Sequence, residues 1–400
     1  MEYDYLIVGA GIAGLHCALR ISKAFPKAKI AIAEMYDYTG GRIFTFHGVS
    51  KGQGQGQAVW EAGAGRIHGS HTMIMKYLKD YGLTTIPISS HSEWRSKKTS
   101  EEDIWPSLSE VLVSTLKTLD PKVLATHTIK DLTFDNDLLH RFPYQAEVST
   151  LRADLAMKSF DNEMGSNKQF YVVKEGLSEL TTRIKSALEK RVKFLYNHRL
   201  VSVDPPYFEI TNKHSKYVTI NASKTILAVH CDALRGIKPF ANLPVLKHLK
   251  MQPLLRTYGV FKEPVTIPKT VTDSRLRYII PVGKHALMTS YTDAEDTVVW
   301  KKIYDKGGDR ALCHAIMGDL RTMFPQLQMP TFFKSHYWQH ACTYWLPGLY
   351  DPKEESRKVM CPIPIQIPNV YVCGESYSLR QAWIEGALEH AEEMLQKYIL

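Results

Sequence analysis

A short apolar run, Tyr5-Leu6-Ile7-Val8, leads straight into Gly9-Ala10-Gly11-Ile12-Ala13-Gly14, and a helix-like stretch over 15–24 follows. A strand that ends in a glycine turn and restarts as a helix is the opening unit of a parallel sheet flanked by helices. Gly9 permits the tight turn, Gly11 lets backbone approach a pyrophosphate, and Gly14 lets helix and strand pack closely. Ile12 and Ala13 lie where the helix begins, at its free N–H groups and positive dipole end. On its own such a loop is a weak signal. Here a second strand over 29–33 ends in Glu34, twenty residues after Gly14. An acid at that place accepts hydrogen bonds from ribose hydroxyls, which argues for an adenosine without a 2′-phosphate.

Composition narrows the class. The 400 residues are 44% hydrophobic and 23% charged, a globular balance sufficient for two domains. No apolar run approaches the ~18–20 residues that a bilayer span needs. With the glycine motif beginning so early, no signal peptide is expected, and the protein is expected to be soluble and intracellular. The six cysteines stand far apart without a C-x-x-C pair, so neither structural zinc nor a disulfide framework is expected. Cys17 and Cys373 fall in apolar segments and read as small buried hydrophobes. Net charge is +9, but lysines and arginines are dispersed, which argues for a solvated surface and against nucleic-acid or membrane binding.

Further along, Gly40-Gly41-Arg42 sits beyond the second strand, where arginine can neutralise a pyrophosphate. Residues 51–57 are low-complexity and read as a loop or hairpin tip. Gly63-Ala64-Gly65-Arg66 follows, with glycines that let backbone lie against a flat ligand, and a helix is expected over 70–81. Residues 84–165 read as mostly helical, with helices over 107–119, 122–132 and 151–160. Residues 169–180 return to strand, glycine and helix. Strands are expected over 195–203, 218–222, 225–229, 254–261, 277–282 and 286–291, and a helix over 310–323. Near the end, Val370-Tyr371-Val372-Cys373 runs into Gly374-Glu375, and a helix over 383–396 follows.

The motifs Gly9-x-Gly11-x-x-Gly14, Glu34, Gly40-Gly41-Arg42, Gly63-x-Gly65 and Gly374-Glu375 together resemble the flavin-containing amine oxidase superfamily, which includes monoamine, polyamine and L-amino-acid oxidases. The resemblance frames all 400 residues and implies an α/β dinucleotide-binding, Rossmann-like FAD domain interleaved with an α+β substrate-binding domain. The expected division gives 1–83, 166–235 and 350–400 to FAD, and 84–165 with 236–349 to substrate. It implies FAD contacts at Gly9, Gly11, Ile12, Ala13, Gly14, Glu34, Gly41, Arg42, Gly63, Ala64, Gly65, Arg66, Gly374, Glu375, Trp383 and Ile384, with a backbone group at Val201 meeting adenine.

Such an oxidase needs position, electrostatics and a dry cavity more than a catalytic cluster, since the cofactor takes the hydride. The segment Glu61 to His71 looks more like L-amino-acid than monoamine oxidases; there the arginine matching Arg66 holds the substrate carboxylate, which suits its planar fork. Pairing of Arg66 with an internal acid or a flavin phosphate is the alternative. His71 is either a helix-start residue or a polar group of the cavity. Trp383 matches the aromatic beside the flavin, and Trp338, Tyr344 and Trp345 fall where the opposite wall is expected, or pack in the core. Three departures stand out. Arg256 occupies the family's usual lysine position, which leaves oxidase or dehydrogenase open. Tyr38 stands near the place of an arginine before the glycine pair. Cys342 lies near the site of covalent flavin attachment, but its spacing to Pro347-Gly348 does not match, so FAD is expected to be non-covalent. A small-molecule amine or L-amino acid, with O2 as acceptor and hydrogen peroxide as product, is the expected chemistry, no metal is expected, and a homodimer is a further possibility. The alternatives are a monoamine or polyamine oxidase, a non-catalytic FAD-binding scaffold and a carbon–carbon desaturase.

Overall fold

The computed structural model describes residues 2–48, 58–133, 135–164, 169–213, 216–363 and 365–400. The low-complexity stretch 51–57 lies outside the described residues.

Five parallel strands form the first sheet, in the spatial order Val192–Leu195, Ile30–Ala33, Glu2–Val8, Asn221–Leu227 and Val370–Val372. Their apolar runs reflect burial on both faces, as a parallel sheet demands. Ile7 and Ile32 pack against Leu15, Cys17 and Ile21 of the helix Ile12–Ala24, which shares that layer with Ser178–Leu188 and Ile384–Tyr398. Leu6, Val8, Ala33, Leu227 and Val372 face the other way, into a second cluster with Leu200, Val203 and Phe208 of an antiparallel meander, His198–Val203, Pro206–Ile210 and Tyr217–Thr219. Every buried strand residue here removes apolar surface from water at about 25 cal/mol per Å².

A seven-stranded mixed sheet has the order Phe332–Trp345, Leu249–Val260, Ala286–Asp293, Tyr278–Pro281, Thr270–Thr272, Glu93–Arg95 and Ser100–Glu101. Side chains alternate between its faces. Leu255, Leu287 and Ile279 pack on Leu312, Ile316 and Leu320 of the helix Ala294–Met323. On the opposite face, Arg256, Tyr291 and His336 share one register line, and Tyr258 stacks on Trp60 with ring centroids 4.6 Å apart. This face meets the strand Ala58–Glu61, which pairs with Thr45–Gly48 in a two-stranded sheet, just before the glycine segment that follows Glu61.

Several elements differ from the sequence reading. The region 84–165 does carry helices, but it opens with three short strands, Thr85–Ile88, Glu93–Arg95 and Ser100–Glu101. Thr85–Ile88 pairs with Phe170–Val173 and Glu93–Arg95 with Thr270–Thr272, partners far off in sequence that no local pattern reveals. The stretch 122–132 is two helices, Pro121–Thr126 and Ile129–Leu132, because Thr128 and Asp131 form a capping box that starts a new one. The helix expected over 310–323 begins at Ala294; Gly307 and Gly308 kink it, and Gly308 holds φ +60. Positions 195–203 are two strands, turned at Asn197 with φ +60.

Candidate functional site

The loop from Gly9 to Gly14 has the expected form. Gly9 adopts φ +105, and a Cβ on Gly14 would lie 1.9 Å from the Gly9 carbonyl oxygen, so the strand and helix can cross only with glycine there. Gly11 differs: a Cβ on it would meet nothing within 4 Å. Its backbone therefore borders open space at the start of the helix, where no side chain caps the first turn and that turn carries no acid of its own. Glu34 is buried and accepts from Ala10 N at 2.7 Å and Tyr36 N at 3.1 Å. Burial pushes its carboxyl up, partly offset by those two donors. The second glycine pair closes on the first, with Gly40 N donating to Ala10 O at 2.9 Å. Val201 sits at an irregularity in the meander, between the paired Leu200 and Ser202, which frees its backbone from the ladder.

Arg42 and Glu375 meet each other. Arg42 Nη1 donates to Glu375 Oε2 at 2.7 Å and to Ala341 O at 2.6 Å. Glu375 also accepts from Ala382 N at 2.7 Å and Thr343 N at 3.3 Å, which ties the stretch between Gly374 and Trp383 to itself and to the strand Phe332–Trp345. The pair leaves other guanidinium nitrogens for an anion, while the partly exposed Arg42 neutralises the buried charge of Glu375.

Arg66 lies in an aromatic cage. Its Nη2 donates to the Tyr144 hydroxyl, and its guanidinium carbon stands 5.3, 5.2 and 5.8 Å from the ring centres of Tyr144, Phe170 and Trp383. Phe170 and Trp383 also line a cavity of about 210 Å³, together with His71, Glu147, Tyr344 and Arg380. Burial and nearby positive charge hold His71 down to about 3, so its imidazole is neutral at physiological pH. Its ring meets Trp383 edge-on at 4.9 Å. Tyr344 is buried, and burial pushes its hydroxyl well above the usual phenol range. Trp345 is in the core, with Nε1 donating to Ser378 O at 2.9 Å.

Trp338 and Arg256 point elsewhere than at this cavity. Trp338 Nε1 donates to Ala62 O at 2.7 Å. Arg256 Nη1 donates to Glu61 O at 3.0 Å and to Gly63 O, and its guanidinium covers Tyr291 at 4.9 Å. Its Nε is a buried donor with no acceptor among the described residues, which a carbonyl or ring nitrogen on a bound molecule would satisfy.

Four participants were not singled out by the sequence. Tyr144 and Phe170 complete the cage, and Glu147 lines the cavity from a helix, Gln145–Ser149, that no pattern announced. Glu385 grips the helix Thr72–Asp80 from outside, accepting from Met73 N at 2.8 Å and Ile74 N at 2.9 Å. An acid directly after Trp383-Ile384 was the available signal for the last.

These features suit a flavin dinucleotide: an uncapped helix start beside open space, a buried acid at the second strand end, a pyrophosphate-competent arginine, and a buried unsatisfied donor near the glycine segment. Among the described residues, no group of three histidines, cysteines or acids is arranged to hold a metal, and no helix is long and apolar enough to cross a membrane.

Comparison with known proteins agrees. Wild-type putrescine oxidase bound to putrescine superposes with a TM-score of 0.74 at 15% identity, covering 100% of this chain and 99% of that one. A candidate protoporphyrinogen oxidase from Exiguobacterium sp. 255-15 gives 0.70 at 15% identity, covering 98% of each chain. At such identities the likeness is one of fold. A search of curated proteins gave no match. Residues 7–81 match the NAD(P)-binding Rossmann-like domain. Residues 132–394, well over half the chain, match the flavin-containing amine oxidoreductases, and the chain belongs to that family of flavoprotein oxidoreductases.

Proposed function

We propose that this protein is an FAD-dependent oxidase of an L-α-amino acid. The observation that carries the reading is Arg66, a cation framed by Tyr144, Phe170 and Trp383, of which Phe170 and Trp383 also line the cavity. A guanidinium there offers the planar fork that a carboxylate fits. When bound, the flavin accepts the hydride from the substrate α-carbon; O2 takes the electrons to give hydrogen peroxide, and the imine hydrolyses to a keto acid and ammonia.

The chain's own residues do the rest. Gly9, Gly11, Ile12, Ala13, Gly14 and Gly41 would hold the phosphates, Glu34 the adenosine ribose and Val201 the adenine, while Arg42 with Glu375 would serve the pyrophosphate and ribityl portion. Ala64, Gly65 and Ile384 would border its ring system. Trp383, Phe170 and Tyr344 wall the cavity and exclude water, and the neutral His71 adds no charge to it. A dry aromatic site favours the neutral amine, the form that loses hydride. Burial pushes the Cys342 thiol up to about 12, so it is a poor nucleophile, in keeping with non-covalent FAD. In this reading residues 1–83, 166–235 and 350–400 serve FAD, and 84–165 with 236–349 enclose substrate. The five-stranded sheet drawing its strands only from the first set supports that division.

A polyamine substrate is the second reading, favoured by the buried carboxyl of Glu147 in the same cavity. Arg66→Ala separates them. On the amino-acid reading it lowers kcat/KM about 100-fold or more for carboxylate substrates, the loss of a charge-assisted bidentate contact, and leaves plain amines unchanged. Equal loss for both classes, or for neither, rejects the clamp.

A further inference from the structure

Three side chains from one face of the mixed sheet take three consecutive backbone carbonyls. Tyr258 donates its hydroxyl to Glu61 O at 2.7 Å, Trp338 its indole N–H to Ala62 O at 2.7 Å, and Arg256 Nη1 reaches both Glu61 O and Gly63 O. The amides of the same stretch point the opposite way: Ala62 and Gly63 donate to Phe44 O at 2.9 and 3.1 Å, and Ala64 to Arg42 O at 2.9 Å. A Cβ on Gly63 would stand 2.0 Å from Arg42 O, so the path is also closed to other residues. With carbonyls and amides both committed, each peptide plane over 61–63 is fixed from two sides.

Resting on the FAD reading above, we propose that Arg256, Tyr258 and Trp338 are positioning residues. They set the peptide planes of Glu61 to Gly63 so that Gly63 to Gly65 presents a fixed backbone surface to the flavin ring. Arg256 in this role shapes the wall of the cofactor site through Gly63 O instead of handling protons or oxygen. The rigid fork and the indole N–H suit this work, because each donor has one direction.

The test uses Trp338→Phe, which keeps the ring and loses the N–H, with Tyr258→Phe as a second, milder variant. Hydrogen exchange is measured on the FAD-free chain. Amides 62–64 are expected to exchange about tenfold faster or more, while those of Glu2–Val8 stay as in the wild type. On the FAD-loaded protein, Kd is expected to rise about tenfold and the flavin midpoint potential and visible absorption to shift. Unchanged exchange at 62–64 in both variants overturns the proposal. Faster exchange with unaltered Kd, potential and spectrum also overturns it, since the clamp would then be structural only. Failure of the wild-type chain to take up FAD would sink the cofactor reading instead, a result the variants cannot imitate.

Discussion

Gly11→Ala separates what the fold needs from what a bound dinucleotide needs. Gly11 has φ −72 and ψ 178, an extended conformation open to alanine, and an added Cβ meets no protein atom within 4 Å. Two small terms act on the FAD-free chain. Alanine reduces the freedom of the unfolded chain, a gain of about 0.4–1 kcal/mol. Alanine is a poorer helix N-cap than glycine, a loss of roughly 0.5–1 kcal/mol. They offset, so apo stability should stay within about 1 kcal/mol of wild type. Gly14→Ala is the contrast, because its Cβ would fall 1.9 Å from Gly9 O, and backbone must move at a cost of about 1–3 kcal/mol or more. FAD at 100 times its Kd adds about 2.7 kcal/mol to wild-type stability. If a phosphate occupies the space beside Gly11, a 100-fold loss of affinity cuts that increment to roughly 0.4 kcal/mol at the same concentration. Denaturant melts with and without FAD, and flavin fluorescence titration, read both quantities. A Gly11→Ala protein that gains full stability from FAD refutes the placement of the phosphates.

Other consequences follow from the same geometry. Glu385→Ala leaves two helix-start amides, the half-buried Met73 and the buried Ile74, without their acceptor and should destabilise the protein by about 1–3 kcal/mol in chemical denaturation. A change below about 0.5 kcal/mol would contradict that. Asp293 is buried, with its carboxyl raised from 3.8 to about 7 by loss of solvent, and accepts from Ala146 N at 3.2 Å. Between those values the unfolded chain releases the proton and the folded chain keeps it, so this group's contribution falls as pH rises through the window. Asp293→Asn keeps an acceptor for Ala146 and should remove a slope on the order of 1 kcal/mol per pH unit, leaving the variant the more stable protein above pH 7. Parallel stability–pH curves for variant and wild type would count against it.

The dinucleotide half was legible because its signals are local. Glycines at fixed spacing, an acid at the second strand end and unbroken apolar strands all lie within one strand–helix–strand unit. The mixed sheet was partly legible: three of its strands were expected near their places. Its longest, Phe332–Trp345, was not, since aromatic and polar residues fall on both faces and its register breaks opposite Gln252 and Leu254. The site divides in the same way. Arg66 and Trp383 stand out within short motifs, whereas Tyr144 and Phe170 reach Arg66 only through tertiary packing. The directions of Trp338 and Arg256 depend on where Ala62 and Gly63 run, which no spacing encodes.

The most direct measurement is anaerobic mixing of the FAD-loaded protein with a panel of L-amino acids, each beside its decarboxylated amine. Loss of the oxidised flavin absorbance with at least one amino acid, and none with the matching amine, is the result expected from a carboxylate held at Arg66. Bleaching by the amines alone, or by no member of either set, contradicts it.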